Sequence, residues 1–381
     1  MALHESGSSE SESESESESE SESESENELE AAAGPAIEGG KGGRIAVVVN
    51  GNAKSVTAEV IETLDQILDT GDLFISRRVE ESEAIARTLV DRGYGTILTG
   101  GGDGTFTVVV TAVVAEARRR GAVLPRFGLL RLGTGNSLAW VIGASKSGER
   151  GSGRGLAADL QRLRSDAGSR WIRFVETEGM LSPFCGFGID AEMLRDYVKV
   201  KTLLARGPLR RLAPGPLAYA VAAITRTLPG YVFKKTPHCR VINEGADAFR
   251  IGDKGKMLGA PIGKGEVIYE GPAKVASIGA IPYYGFGFRF FPYADERPDR
   301  MQLRVSKISP AAFVANFGAI WRGEYEDLET TFDYLVDDVT IEMDPPTSFQ
   351  IGGDVAGERG RVRAKLTPPI RIVDFYAPPR G

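Results

Sequence analysis

The sequence predicts an α/β protein, with a doubly wound parallel sheet in its first half and a second, mainly antiparallel β domain after it. Three observations carry this prediction. Between residue 44 and about residue 145, short continuous apolar runs alternate with helical segments. Glycine-rich turns follow several of those runs, so they fall at the carboxyl ends of the strands, where open α/β sheets bind ligands. From Trp171 onward the texture changes to short β-rich runs separated by Gly and Pro.

Residues 1–43 precede the folded body. They are a Ser-Glu alternation followed by small residues and Gly, too polar to bury a core, so a disordered solubilising tail is expected. Arg44-Ile45-Ala46-Val47-Val48-Val49 is a continuous β-branched run and reads as a buried parallel strand. The turn Asn50-Gly51-Asn52-Ala53-Lys54-Ser55 leads into a helix over Val56–Leu68. A strand at Asp72–Ser76, a helix at Ser82–Arg92 and a strand at Thr96–Thr99 continue the alternation. Gly100-Gly101-Gly102-Asp103-Gly104-Thr105 then opens a helix from Phe106, and Phe127–Leu130 is the next strand, ending in Leu132-Gly133-Thr134-Gly135-Asn136-Ser137. Ser145–Gly155, rich in Gly, Ser and Arg, reads as an exposed loop.

In the second domain, over residues 146–365, strands are expected at Trp171–Glu176, Met180–Phe187, Val232–Asn243, Val275–Ile281, Met301–Lys307 and Val339–Met343. A helical interruption spans about Gly188–Leu228, and Ala312–Arg322 reads as a helix. Ile370–Phe375 reads as a strand that returns to the first domain, within a segment of about 366–376.

Composition narrows the chemistry. The net charge is −6, but thirteen Glu and no Lys, Arg or Asp lie in residues 1–40, so residues 41–381 carry +7. A basic body suits partners rich in phosphate or an anionic surface. No nucleic-acid motif accompanies the charge, so a nucleic-acid partner is not expected. No run of eighteen apolar residues exists, and the apolar stretch Leu217–Ile224 is too short to span a bilayer. No basic-then-apolar leader opens the sequence, so export is not expected and a cytoplasmic protein is. Cys185 and Cys239 form no disulfide framework. With only His4 and His238 present, and His4 in the tail, a Ser-His-Asp mechanism is disfavoured.

Strand, glycine turn and helix is the local geometry of an anion site: glycines let backbone approach a phosphate, and the amides of the first helical turn point at it. A carboxylate repels phosphate, so Asp103 in that turn either holds a Mg²⁺ on the nucleotide or orients the loop by hydrogen bonds. Gly133 and Gly135 give a second backbone approach, and Thr134 and Asn136 offer short polar groups. Asn136 also suits a helix cap.

Gly101-Gly102-Asp103-Gly104-Thr105, followed about thirty residues later by Leu132-Gly133-Thr134-Gly135-Asn136, resembles the catalytic domain of the diacylglycerol kinase family, which sphingosine and ceramide kinases share. The resemblance covers roughly residues 44–376. It implies ATP and Mg²⁺ as cofactors and a lipid hydroxyl as acceptor, either diacylglycerol or a sphingoid or ceramide-type lipid. It also implies peripheral work on the inner face of a membrane. A homodimer is the oligomer kept open. Asn50, Lys54, Arg78, Gly101, Gly102, Asp103, Gly104, Thr105, Gly133, Thr134, Gly135 and Asn136 would contact the nucleotide. Ser137 follows Asn136 where bacterial diacylglycerol kinases often have Asp.

Cys185-Gly186-Phe187-Gly188-Ile189-Asp190-Ala191 resembles the family's Gly-Phe-Asp-Ala segment, which would bring Asp190 to the lipid head group; a helix-start acid is the plainer account. Pro292–Met301 resembles the segment that carries a structural Mg²⁺ in bacterial members, implying Asp299, Glu296 and Met301 as ligands, with Arg300 in place of the usual Gly. Phe349-Gln350-Ile351-Gly352-Gly353-Asp354 stands where the family has Asp-Gly-Glu. Gly352 takes the Asp position and Asp354 the Glu position, so the resemblance implies Asp354 as base, with Asp103 beside it in the catalytic set. Val108 replaces a family Glu after Asp103.

Lys199, Lys201, Arg206, Arg210 and Arg211 offer a basic amphipathic surface for lipid heads, or a solvated face. The acidic tail could fold back on such a basic surface. The aromatic stretch Tyr283–Phe291 could line an acyl pocket, though core packing in a strand pair is favoured. Two other functions compete: an NAD kinase-like enzyme with the same Gly-Gly-Asp-Gly loop, and a lipid-binding regulator impaired in phosphoryl transfer by Gly352 and Val108.

Overall fold

The computed structural model describes residues 43–53, 55–69, 71–133, 136–143, 159–163, 168–188, 235–285 and 287–375. A six-stranded sheet holds β1 (Ile45–Asn50), β2 (Leu73–Ser76), β3 (Thr96–Gly101), β4 (Arg126–Arg131), β5 (Ser169–Ile172) and β18 (Ile370–Val373), in the order β2-β1-β3-β4-β18-β5. The first four strands and β18 run parallel, and β5 pairs antiparallel with β18. The uninterrupted apolar runs of β1 and β3 follow from burial on both faces: Val47, Val48, Ile97 and Leu98 are all buried.

Helices α1 (Ala58–Ile67) and α2 (Glu81–Asp91) supply the first two crossovers. The third is α3 (Asp103–Arg120), which organises the rest. Its β-branched run Val108-Val109-Val110 would by itself weaken a helix. Burial of Phe106, Val109, Val110, Val113 and Val114 overrides that preference. Gly121 in the left-handed region ends the helix, and Arg118, Arg119 and Arg120 sit in its last, dipole-negative turn. The short helix α4 (Ser137–Val141) follows β4.

The second sheet has twelve strands, paired antiparallel. They are β6 (Val175–Thr177), β7 (Met180–Ser182), β8 (Phe184–Gly188), β9 (His238–Asn243), β10 (Ala248–Ile251), β11 (Met257–Ile262), β12 (Val267–Pro272), β13 (Val275–Gly279), β14 (Met301–Ser306), β15 (Thr331–Val336), β16 (Asp338–Ile351) and β17 (Asp354–Leu366). Phe187, Cys239, Leu303, Val336 and Phe349 belong to its own core. The long β16–β17 hairpin turns on Gly352 and Gly353, both at positive φ, and this makes Asp354 the first residue of β17. Helix α3 touches both sheets: it packs on β3, and its Thr111 hydroxyl accepts the Leu181 amide of β7 at 2.9 Å.

The predicted fold class is the one observed. Several elements differ in detail. The run Trp171–Glu176 is two strands, β5 on the first sheet and β6 on the second. Met180–Phe187 breaks at Pro183 into β7 and β8. Ala312–Arg322 is two short helices, α5 (Pro310–Ala315) and α6 (Phe317–Arg322), parted at Asn316. The expected strand Val339–Met343 is only part of the 14-residue β16, because Pro345 and Pro346 look like a strand end. They are accommodated where the pairing register shifts between Glu342 and Thr347. The aromatic stretch packs largely on its neighbours: Tyr284 stacks on Phe184 with ring centroids 4.3 Å apart, and Phe288 on Trp321 at 5.0 Å. Among the described residues no helix is long and apolar enough to cross a membrane.

Candidate active site

Asp103 opens α3 and is 8% exposed. Its Oδ2 accepts the Ser137 amide at 2.8 Å and its Oδ1 the Leu138 amide at 3.3 Å. These are first-turn amides of α4, so Asp103 caps a helix thirty-odd residues downstream. Burial pushes its carboxyl above the ordinary carboxylate range; the amide bonds pull the other way, and the charge of Asp354 adds to the rise. Of the two roles open to Asp103, loop orientation is the one its hydrogen bonds serve. Asn136, at the start of α4, adopts a left-handed backbone, and its Nδ2 donates to the Gly133 carbonyl at 2.6 Å. It makes no side-chain cap.

Two close approaches fix the corners of the site. A Cβ on Gly133 would lie 2.2 Å from the Gly102 Cα, so the two glycine loops are in backbone contact. A Cβ on Gly104 would lie 2.2 Å from the Asp354 Oδ2, so the carboxyl group rests on the first turn of α3. The loops at 101–104 and 133 therefore meet, and the acid at 354 lies against the first of them. Gly104→Ala is expected to displace Asp354 and lower turnover on the order of 10-fold or more, as small misplacements of reacting groups do. Steady-state kinetics with an unchanged thermal midpoint would separate this from misfolding.

The adjoining cleft encloses about 210 Å³. Asn50, Asn52, Ser76, Arg77, Arg78, Thr105 and Asp354 supply its polar lining, and Val48, Leu89 and Val109 are among its apolar walls. Asn50 Nδ2 reaches the Thr105 hydroxyl at 3.3 Å, and Asn52 Nδ2 donates to the Arg77 carbonyl at 2.6 Å. Three strand-end turns are thereby laced together. The Arg77 and Arg78 amides are held by Glu81. Asp354 opens onto this cleft, yet burial by its walls raises its carboxyl above the usual range. Gln350 steadies the turn: its Oε1 accepts the Gly353 amide at 3.0 Å. A Cβ on Gly352 would lie 2.7 Å from the Thr107 hydroxyl oxygen, so a side chain there is crowded.

Sequence reasoning missed Asn52, Arg77 and Gln350; the first two stand beside residues that were named, and Gln350 carried no signal. Lys54, Thr134, Gly135 and Asp190 lie outside the described residues, as does the basic stretch 199–211. The trio inferred for a structural Mg²⁺ does not fit a metal. Asp299 is gripped by Arg297 through two bonds of 3.1 Å and again by Arg300, and Met301 is buried in β14. Guanidinium groups supply the positive charge that a cation would bring. No cluster of three His, Cys, Asp or Glu suited to a metal occurs among the described residues.

Residues 44–164 match the family model of the diacylglycerol kinase catalytic domain. The protein named "Probable lipid kinase YegS" in Escherichia fergusonii is 34% identical over 96 residues, which is 24% of this chain and 31% of that protein. "Probable lipid kinase YegS-like" of an Enterobacter species is 31% identical over 121 residues, 29% of this chain and 40% of its own length. The aligned part thus spans well under half of these curated relatives. A solved diacylglycerol kinase structure from Bacillus anthracis superposes with a TM-score of 0.55 at 12% identity, covering 88% of this chain and 98% of that one. The likeness of fold therefore extends beyond the catalytic domain into the second sheet.

Proposed function

We propose that this protein is an ATP-dependent lipid kinase that transfers the γ-phosphoryl group of ATP to a hydroxyl of diacylglycerol or of a sphingoid or ceramide-type lipid. The observation that carries the proposal is the seating of the Asp354 carboxyl on Gly104, two residues along the same loop from Gly102, which meets Gly133 of the second glycine loop. A phosphoryl donor on those loops faces a single acid.

In this reading the amides of the 101–105 loop and Arg78 receive the triphosphate, with Asn50 and Asn136 placing the turns around it. Asp103 acts at one remove, locking α4 and the second loop to the first. Asp354 takes the proton of the acceptor hydroxyl as it attacks. A raised carboxyl pKa makes the ionised Asp354 a better proton acceptor. A Mg²⁺ accompanying the triphosphate would neutralise phosphate charge. The side-chain oxygens of Asn50, Ser76 and Thr105 line the cleft and would help to hold such an ion, leaving Asp354 to take the proton. Most of the rate enhancement would come from positioning.

The full chain, incubated with labelled ATP and a panel of diacylglycerol, sphingosine, ceramide and NAD, is expected to label a lipid. Label in NAD would favour the NAD kinase-like alternative. Label in none of them, with measurable ATP binding, would overturn the enzymatic reading in favour of a regulator.

A further inference from the structure

From Ile308 to Trp321 the chain runs without a charged side chain. Within this run α5 buries none of its residues, and α6 buries Ile320 alone. Surface helices normally turn polar residues to water. Here the exposed positions are Ala311, Val314 and Ala315 in α5 and Gly318 in α6, and Val314 is 51% exposed. Phe313, Phe317 and Trp321 lie half-buried beside them, with successive ring centroids 5.8 and 5.5 Å apart. The polar side chains Ser309 and Asn316 are spent on the helix itself: Ser309 caps α5, and the Asn316 amide donates to the Ala312 carbonyl at 2.9 Å. Lys307 and Arg322 flank the run. Of the acids beyond it, Glu324 is paired with Arg322 at 2.7 Å, Glu326 accepts the Lys254 amide at 3.1 Å and Asp327 the Thr330 hydroxyl at 2.6 Å.

This face is tied to the catalytic cleft through the aromatic stretch 283–291. Trp321 stacks on Phe288, Tyr283 meets Trp140 of α4 at 6.1 Å, and Tyr284 stacks on Phe184. The Phe184 carbonyl in turn accepts the Gly352 amide at 2.9 Å, in the turn that carries Asp354. An uncharged, aromatic-backed helical face with cations at its two ends has the composition of a segment that settles at a membrane interface.

We propose that α5 and α6 form the face by which this protein rests on a lipid bilayer, with Val314 and Ala315 entering between the head groups and Lys307 and Arg322 at the level of the phosphates. The inference rests on the lipid-kinase reading, which requires the cleft to meet an acceptor that resides in a bilayer. The charge of +7 on residues 41–381 complements an anionic lipid surface and opposes a second copy of the same basic body.

The test uses the full chain and sedimentable vesicles of phosphatidylcholine and phosphatidylglycerol. The parent protein is expected to sediment with them, and Val314→Glu to bind on the order of 10-fold more weakly, as a charge placed at an apolar interface should. Ala315→Glu repeats the test at a second exposed position, with ATP binding and the thermal midpoint as folding controls. Cys185 and Cys239 are buried, so a polarity-sensitive dye attached to a Val314→Cys variant reports this face and should shift to the blue on vesicles. The assignment is overturned if the parent protein does not sediment, if both folded glutamate variants bind as it does, or if the dye does not shift. A parent dimer that ignores vesicles and is broken by Val314→Glu also overturns it, with a second copy as the occupant. If vesicles are bound through this face but no lipid is ever labelled, the face stands and the kinase reading falls. Label in a lipid presented in detergent micelles, without vesicle binding, leaves the kinase reading standing and removes the face.

Discussion

Asp354→Asn is expected to lower kcat on the order of 10²–10⁴-fold, the usual contribution of a general base, while ATP affinity changes little. The acid must be ionised to accept a proton. Burial raises its pKa above the ordinary 3.8, so the acidic limb of the kcat profile of the parent protein should fall at a pH above that value. The variant should lose this limb along with its rate. Stability moves the other way. A carboxyl whose folded-state pKa is raised contributes stability that is fully present below its unfolded value and lost as pH rises through the folded one. Above its folded-state pKa the ionised Asp354 is therefore a cost, and there Asp354→Asn should melt no lower than the parent protein. A large rate loss accompanied by a lowered melting temperature would mean that Asp354 is structural.

Asp103→Ala is expected to behave in the opposite manner. Two buried amides, those of Ser137 and Leu138, lose their acceptor. Each buried donor left unpaired costs about 1–3 kcal/mol. The variant should unfold at lower denaturant concentration and lose ATP affinity, because the second glycine loop is no longer tied to the first. Asp103→Asn keeps the shape but offers one acceptor oxygen for two amides, and should fall between the two. Nucleotide titration beside urea unfolding checks both effects. Full ATP affinity in a folded Asp103→Ala protein would refute the tethering role.

Much of this site was legible in the residues, because each corner announces itself locally. Apolar strands followed by Gly100–Thr105 and by Gly133–Asn136 need nothing beyond short-range pattern to be placed at one sheet edge. Gly-Gly-Asp at 352–354 is equally local, as a hairpin turn. The misses share a different origin. Asp103 was named and its loop-orienting role left open, but its partners were not, because no spacing rule reaches from residue 103 to the amides of residues 137 and 138. Gln350 looks like an ordinary strand residue until the turn folds over it. The second sheet was read thinly because its strands β10, β11, β12, β15 and β17 alternate with glycines or carry charged faces, as in the Arg359, Arg361 and Arg363 series of β17. Their pairing is decided across the sheet, by partners such as Asp338, which binds Arg363 at 2.7 Å. The arginine grip on Asp299 was foreshadowed by Arg300 alone; Arg297 became visible only with the fold.

The place of β18 has a consequence for how this protein is made. The first sheet is left incomplete through most of translation: β4 waits for Ile372, and the partner of Ser169 lies 202 residues further on. A fragment ending near residue 164 would carry every glycine of the catalytic signature and still present β4 as a naked edge, open to pairing with another chain. Such long-range closure makes folding slow. Expression trials should keep the final strand, and a fusion partner is better attached to the acidic N-terminal end than spliced close behind Val373.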